Sequence, residues 1–200
     1  MLFVVNVDWF FVSQRLPIAL QAIKDGYDVH LACSFTDKRS QLEELGITCH
    51  SVAFSRSGTS LKREVSNIWS IRRVIKCLKF DIVHSITIKP VIYTGFALQS
   101  ISRPPAFVAA ISGLGYVFTA KSIRAKSTKL LVSFMYKFAL RGKRKVVIFQ
   151  NTSDKMILSE IVKLLKSEMT LIKGSGADLS VYSHEVEPQG SKKVVSIRNQ

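Results

Sequence analysis

Short apolar runs alternate with amphipathic segments along the whole chain. The runs predict strands at residues 2–7, 27–32, 47–52, 80–85, 106–111, 146–149, 169–172 and 192–197. Helical spacing of apolar residues predicts helices that begin near Pro17 and at residues 40–45, 61–79, 90–100, 122–140 and 154–165. Strands that are apolar throughout are typical of a parallel sheet covered on both faces. The pattern therefore predicts an α/β fold with an open, doubly wound, Rossmann-like parallel sheet.

The segment between the first strand and the first helix, residues 9–15, is predicted to be a loop. It carries Trp9, Phe10 and Phe11 together with Gln14 and Arg15. Ligands of open α/β sheets bind at the carboxyl ends of the strands, where this segment lies. One or two of the aromatic side chains are expected to pack beneath the next helix, and the others to face a ligand.

Polar and glycine-rich clusters follow the later strands as well, and the doubly wound topology brings them to one edge of the sheet. Glycines there allow backbone N–H groups to approach a phosphate closely. His84 is interpreted as a hydrogen-bonded core residue and Asp154 as a helix N-cap. The chain lacks a complete dinucleotide-binding fingerprint, a P-loop and a G-x-S-x-G motif. The candidate binding residues after the later strands are Thr87, Lys89, Ser112, Gly113, Gly115 and Asn151.

The charge of the chain is strongly positive and unevenly distributed. The 29 Lys and Arg residues outnumber the 14 Asp and Glu residues, and no carboxylate occurs between Asp81 and Asp154. This excess favours an anionic partner. The apolar stripe of helix 122–140 is expected to pack on the sheet, while its basic face and the following segment dock on an anionic membrane. The predicted membrane-facing residues are Lys126, Lys129, Lys137, Arg141, Lys143, Arg144 and Lys145.

The cysteine pattern and the apolar segments bear on compartment. Cys33, Cys49 and Cys77 are widely spaced and are expected to be reduced thiols, with no metal site. No cleavable signal and no membrane-spanning run is recognised. The expected location is cytoplasmic, peripheral on the inner face of the membrane. Nucleic-acid binding would rest on charge alone, since no motif supports it, and is not expected.

Several motifs, taken in order, resemble the N-terminal half of family 4 glycosyltransferases of the GT-B fold. The similarity is strongest to bacterial enzymes that add sugars to undecaprenyl-diphosphate-linked glycans. The matching segments are DWFFVSQRLPIA at 8–19, DIVH at 81–84, TIKP at 87–90, ISGLGYVF at 111–118, FQN at 149–151 and GSGADL at 174–179.

The resemblance implies a retaining, metal-independent hexosyltransferase in cell-surface polysaccharide biosynthesis, with no cofactor and with a nucleotide-sugar donor, expected to be a UDP-sugar. Residues 1–183 would form the acceptor-side domain, and residues 184–200 the start of a missing C-terminal domain or a truncated tail. Trp9, Gln14 and Arg15 would shape the pocket for a lipid-diphosphate-linked acceptor, and Arg15 could pair with the diphosphate. No catalytic residue is assigned.

Three departures from the family pattern matter. Gln14 stands where the family usually has His, and Ile86 stands where many members have a second His. The second domain, which carries the family's E-x7-E motif and binds the donor, is missing from the sequence. The isolated chain is therefore expected to be inactive, as a truncated product or a fragment. The alternative is a non-catalytic subunit that binds the acceptor, docks on the membrane and recruits a separate donor-binding chain.

Overall fold

The computed structural model describes residues 1–54, 61–114, 118, 123–174 and 176. Its strands are β1 (Leu2–Val7), β2 (His30–Ser34), β3 (Thr48–Ser51), β4 (Ile82–Ile86), β5 (Ala106–Ile111), β6 (Lys145–Phe149) and β7 (Met169–Leu171). They form one sheet in the order β3-β2-β1-β4-β5-β6-β7, and every neighbouring pair is parallel. The expected open, doubly wound α/β fold is therefore confirmed.

Helices cover both faces of this sheet and build two hydrophobic cores. One core includes Phe11, Ala19 and Leu42 from the first three helices. The other includes Ile71 and Tyr136 and lies beneath the remaining helices. The helices are α1 (Asp8–Gln14), α2 (Leu16–Lys24), α3 (Arg39–Glu44), α4 (Leu61–Leu78), α5 (Ile88–Gln99), α6 (Ile123–Ala139) and α7 (Thr152–Val162), and a 3-10 turn (Lys166–Glu168) precedes β7.

The predicted loop at residues 9–15 is wrong, since residues 8–14 form helix α1. The Asp8 carboxylate lies in the first turn and accepts a hydrogen bond from the backbone N–H of Trp9 (2.9 Å). Phe11 points into the core and meets the ring of Phe3 edge-on at 5.4 Å. Trp9 remains 46% exposed. One aromatic side chain thus anchors the helix while another faces outward, as expected.

The expectation that the whole apolar stripe of α6 packs on the sheet is also wrong. Tyr136 and Ala139 are buried, whereas Leu130, Leu131 and Phe134 are 74%, 60% and 66% exposed. Tyr136 and Ala139 are three positions apart and therefore lie on the same face of the helix, which points inward. The three exposed residues lie on a different face. They form an exposed apolar patch, which we call the α6 patch.

Helices α5 and α6 approach each other very closely at Gly95. A Cβ atom placed on Gly95 would lie 2.4 Å from the Cβ of Ala139 and 2.6 Å from its Cα. The hydrogen atom of glycine is therefore what permits this contact between two helix backbones.

Some sequence-based expectations fall outside the described residues. These are the strand at 192–197 and the boundary between residues 183 and 184. In the part of the chain that is described, no helix is long and apolar enough to cross a membrane.

Candidate functional site

A cleft of about 530 Å³ opens at the carboxyl edge of the sheet, where the chain leaves β1, β2 and β3 and enters α5. Trp9 forms an aromatic wall of this cleft, and polar side chains from different strand ends line the rest of it. The residues that line this cleft are Asn6, Val7, Trp9, Ser34, Thr36, Phe54 and Lys89. We call this the main cleft.

Asp8 holds one side of the main cleft in place through hydrogen bonds. Its side chain is fully buried and accepts hydrogen bonds from the Thr36 N–H (2.7 Å), the Thr36 hydroxyl (2.8 Å) and the Lys38 N–H (3.0 Å). Burial alone would raise the pKa of Asp8, but these hydrogen bonds outweigh it and hold the pKa below its usual value. Asp8 thereby ties the start of α1 to the segment that presents Thr36 to the cleft.

Thr87, a predicted binding residue, lies at the end of β4 in a strained conformation, with φ of 75°. A β-branched residue in this region costs about 1–3 kcal/mol and needs support from its surroundings. Asn6 supplies part of it, because its Nδ2 donates to the Thr87 hydroxyl at 2.8 Å. The Asn6 Oδ1 is buried and has no hydrogen-bond partner among the described residues. Asn6 was not among the residues predicted from the sequence, although it is the one polar residue within the first apolar run.

Lys89 reaches the main cleft, but its charge is balanced within the protein. Its ammonium group lies 3.0 Å from one carboxylate oxygen of Glu64, and the other carboxylate oxygen accepts a hydrogen bond from the Tyr93 hydroxyl. Burial would raise the pKa of Glu64, yet the Tyr93 and Lys89 contacts hold it below its usual value. Lys89 therefore contributes less net positive potential to the cleft than the sequence alone suggests.

Arg15 lines a second pocket, of about 230 Å³, whereas Trp9 and Lys89 line the main cleft. The second pocket lies beside the end of α1, and none of the described residues that line it is acidic. The lining residues are Arg15, Ile18, His84, Ala110, Ile148, Gln150, Ile172, Lys173, Gly174 and Gly176. We call it the Arg15 pocket. The structure thus divides the predicted binding residues near α1 between two pockets. Gln14 lies at the end of α1 and lines neither of them.

The segment after β5 is held by the start of α7. The Asp154 carboxylate accepts from the Leu114 N–H at 3.2 Å and from the Asn151 side chain at 2.8 Å. Asn151 is the N-cap of α7, since its side chain accepts from the Asp154 N–H at 2.7 Å. The prediction of Asp154 as N-cap is therefore wrong by three positions. The oxygen of the Asn151 side chain is used for capping. Ser112 and Gly113 precede Leu114, while Gly115 lies outside the described residues.

The predicted membrane-facing cations have different surroundings. Lys129 and Lys137 are exposed on α6, and Arg141, Lys143 and Arg144 are exposed in the connection to β6. The side chain of Lys126 lies outside the described residues. Lys145 contradicts the prediction, because it is 8% exposed and forms an ion pair with Glu168 in the turn before β7.

Comparison with solved structures supports the fold assignment. A glycosyltransferase from Rickettsia africae aligns over 86% of this chain and 42% of its own length, with 15% identity and a TM-score of 0.61. The UDP-GlcNAc 2-epimerase of Methanocaldococcus jannaschii aligns over 86% and 45%, with 12% identity and a TM-score of 0.58. MurG of Acinetobacter baumannii aligns over 90% and 47%, with 13% identity and a TM-score of 0.50. This chain therefore spans slightly less than half the length of these proteins.

The fold is the Rossmann-like α/β fold found in the N-terminal half of GT-B proteins. The chain belongs to the glycosyl transferase 4-like family, whose model matches residues 1–151. No curated protein matches the sequence significantly. The family is thus established, and with it a glycosyltransferase-like domain.

Proposed function

We propose that this chain is the acceptor-binding domain of a glycosyltransferase that extends a lipid-diphosphate-linked glycan in cell-surface polysaccharide biosynthesis. The main cleft carries the proposal. It combines the exposed face of Trp9 with the polar side chains of Asn6, Ser34 and Thr36. An aromatic face next to several hydrogen-bonding groups suits a sugar, whose C–H face is apolar and whose rim consists of hydroxyls.

The donor of the complete enzyme is proposed to be a UDP-sugar held by a second domain, with retention at the anomeric carbon. Transfer requires donor and acceptor to be held together, so the domain described here would not turn over alone. A second domain on a separate polypeptide would make this chain the acceptor-binding subunit of a two-chain enzyme. Both versions require the same acceptor cleft.

Replacing Trp9 by alanine should weaken binding of a short-chain undecaprenyl-diphosphate sugar analogue at least tenfold, which corresponds to about 1.4 kcal/mol. The loss is expected because the variant removes the aromatic wall of the main cleft and leaves the buried core residues in place. Isothermal titration calorimetry on the 200-residue chain measures it. Tyr27→Ala is the matched control, since Tyr27 is also 46% exposed but lies outside the cleft. If both variants bind the analogue with equal affinity, the main cleft is not the acceptor site.

The α6 patch supports a second part of the proposal, peripheral attachment to the cytoplasmic face of an anionic membrane. Leu130, Leu131 and Phe134 protrude, and the exposed Lys129 and Lys137 flank them on the same helix. Apolar side chains that insert between lipids, with cations at the headgroup level, are typical of interfacial helices. This arrangement would bring a lipid-linked acceptor to the domain.

The variant Leu130→Ser/Phe134→Ser should bind vesicles containing anionic phospholipid at least tenfold more weakly, since each buried apolar side chain contributes about 1.5–3 kcal/mol. Vesicle co-sedimentation at low and high salt measures this, and binding of the parent chain should weaken as salt rises. Leu165→Ser is the control, because Leu165 is 64% exposed but lies outside α6. Unchanged binding of the double variant, or tighter salt-sensitive binding of the parent chain to duplex DNA, would refute membrane docking.

A further inference from the structure

The Arg15 pocket is lined by a buried histidine side chain whose hydrogen-bonding capacity the fold leaves partly unused. His84 lies within β4, pairs in register with Phe3 of β1 and Val108 of β5, and is 6% exposed. Its Nε2 atom is buried and has no hydrogen-bond partner among the described residues. A buried polar atom left without a partner destabilises the fold. The expectation of a satisfied core histidine is therefore wrong, and this histidine is one of the residues that line the Arg15 pocket.

The electrostatic environment of this pocket favours an anion. Arg15 is 6% exposed, and Lys173 lies at the rim. Burial, followed by the nearby charge of Arg15, lowers the pKa of His84 to about 4. Burial also lowers the pKa of Arg15. His84 is therefore neutral at pH 7, and in the Nε2–H tautomer it can donate to an oxyanion.

The dimensions and the backbone of the pocket restrict the ligand further. Its volume of about 230 Å³ is several times the ~30 Å³ that one water molecule takes up. Gly174 and Gly176 line it with positive φ angles of 74° and 79°, and neither has a Cβ to block close approach of a ligand to the backbone. Arg15 follows α1, six residues after Trp9 of the main cleft, which is about 9 Å along a helix axis.

We propose that the Arg15 pocket binds a phosphoryl group, with the Arg15 guanidinium and the Nε2–H of His84 as donors to its oxygens. The proposal rests on the proposed function, since it assigns the phosphate part of the acceptor to this pocket and the sugar part to the main cleft. A phosphoryl group could reach the pocket as free inorganic phosphate or as part of a glycosyl diphosphate. The chemistry recognised is the same in both cases.

The pocket can be tested on the 200-residue chain with inorganic pyrophosphate as the probe. NMR titration of the histidine side chains measures the pKa of each imidazole with and without pyrophosphate. An anion within about 4–6 Å should raise the pKa of His84 by about 1–3. His50 is the internal control, because it lies on β3, stacks on His30 and lines neither pocket. Its pKa should stay unchanged. This measurement needs no variant, so it does not depend on whether a substitution at His84 folds.

Variants sharpen the assignment. His84→Gln and Arg15→Gln should each weaken pyrophosphate binding about 10- to 100-fold, whereas His50→Gln should leave it unchanged. The pocket would be refuted if saturating pyrophosphate leaves the pKa of His84 unchanged, or raises the pKa values of His50 and His84 equally. Either result would mean that pyrophosphate does not bind selectively beside Nε2.

A second arm uses a short-chain lipid diphosphate sugar and separates the two proposals. The sugar ligand should raise the pKa of His84 at lower concentration than pyrophosphate does, and Trp9→Ala should weaken only the sugar ligand. If Trp9→Ala has no effect on the sugar ligand while pyrophosphate still acts on His84, the proposed function fails and the phosphate pocket stands. If Trp9→Ala weakens the sugar ligand but neither ligand affects His84, the phosphate pocket fails and the main cleft stands. If pyrophosphate acts more strongly than the sugar ligand, the pocket serves a free anion and its assignment to the acceptor is wrong.

Discussion

Replacing Asp8 by alanine is expected to lower the free energy of unfolding by about 3–5 kcal/mol, because it strips a fully buried acceptor from several donors at once. The backbone N–H groups of Trp9, Thr36 and Lys38 and the Thr36 hydroxyl all donate to this carboxylate. Urea unfolding at pH 7 measures the loss. Asp37→Ala is the control, since the Asp37 side chain is 69% exposed, and it should change stability by less than about 1 kcal/mol.

The same carboxylate should make stability depend on pH in a defined direction. The folded pKa of Asp8 lies below its value in the unfolded chain, which is about 3.9. The stabilisation is therefore complete above the unfolded pKa and is lost as the pH falls from about 4 through the folded pKa. The parent chain should lose more stability over that window than Asp8→Asn does. Parallel pH dependence in the two proteins would show that Asp8 is not a buried, ionised anchor.

Replacing Gly95 by valine should destabilise the fold by about 3 kcal/mol or more, at the upper end of what overpacking costs. The new Cβ would lie 2.4–2.6 Å from the Cβ, carbonyl oxygen and Cα of Ala139, so α5 and α6 would have to separate. A flexible side chain could move aside at little cost, but a helix backbone cannot. Thermal and urea unfolding monitored by circular dichroism measure the effect.

Gly142→Val provides the matched control for this substitution. A Cβ at Gly142 has one neighbour within 4 Å, the side-chain amide of Gln99 at 3.9 Å. We expect a change of less than about 0.5 kcal/mol there, as for other open surface positions. Similar losses at both glycines would show that the contact between α5 and α6 is not tight.

The sheet could be predicted from the sequence because buried parallel strands are apolar on both faces and are separated by clear helix signals. The bounds predicted for β5 are those observed, and the helix expected at residues 61–79 is found at Leu61–Leu78. Helix α1 was missed because the sequence shows no capping residue before it. Its first turn is stabilised by Asp8, whose partners Thr36 and Lys38 lie about thirty positions away in the chain.

The sequence predicts the edge of the sheet at which the candidate site lies. It does not predict that the site is divided into two pockets. The strand-end rule predicted one edge of the sheet for Trp9, Lys89 and Arg15, whereas the structure places Trp9 and Lys89 in the main cleft and Arg15 in a second pocket. The ion pair of Lys89 with Glu64 and that of Lys145 with Glu168 join separate elements, and charge counting along the sequence cannot detect such partners. His84 was assigned to the core from its apolar neighbours. The missing partner of its Nε2 became visible only in three dimensions.

The two outer strands of the described sheet are short, which affects how this protein can associate. β3 has four residues and β7 has three. Arg39 reaches over β3 and donates to the Cys49 carbonyl oxygen at 3.4 Å and to the Ser51 hydroxyl at 3.2 Å. Short edge strands give a foreign strand little backbone to pair with, so they protect against templated aggregation. Self-association of the folded chain is therefore expected to proceed through side-chain surfaces such as the α6 patch, and to be reversed by mild detergent rather than to progress into fibrils.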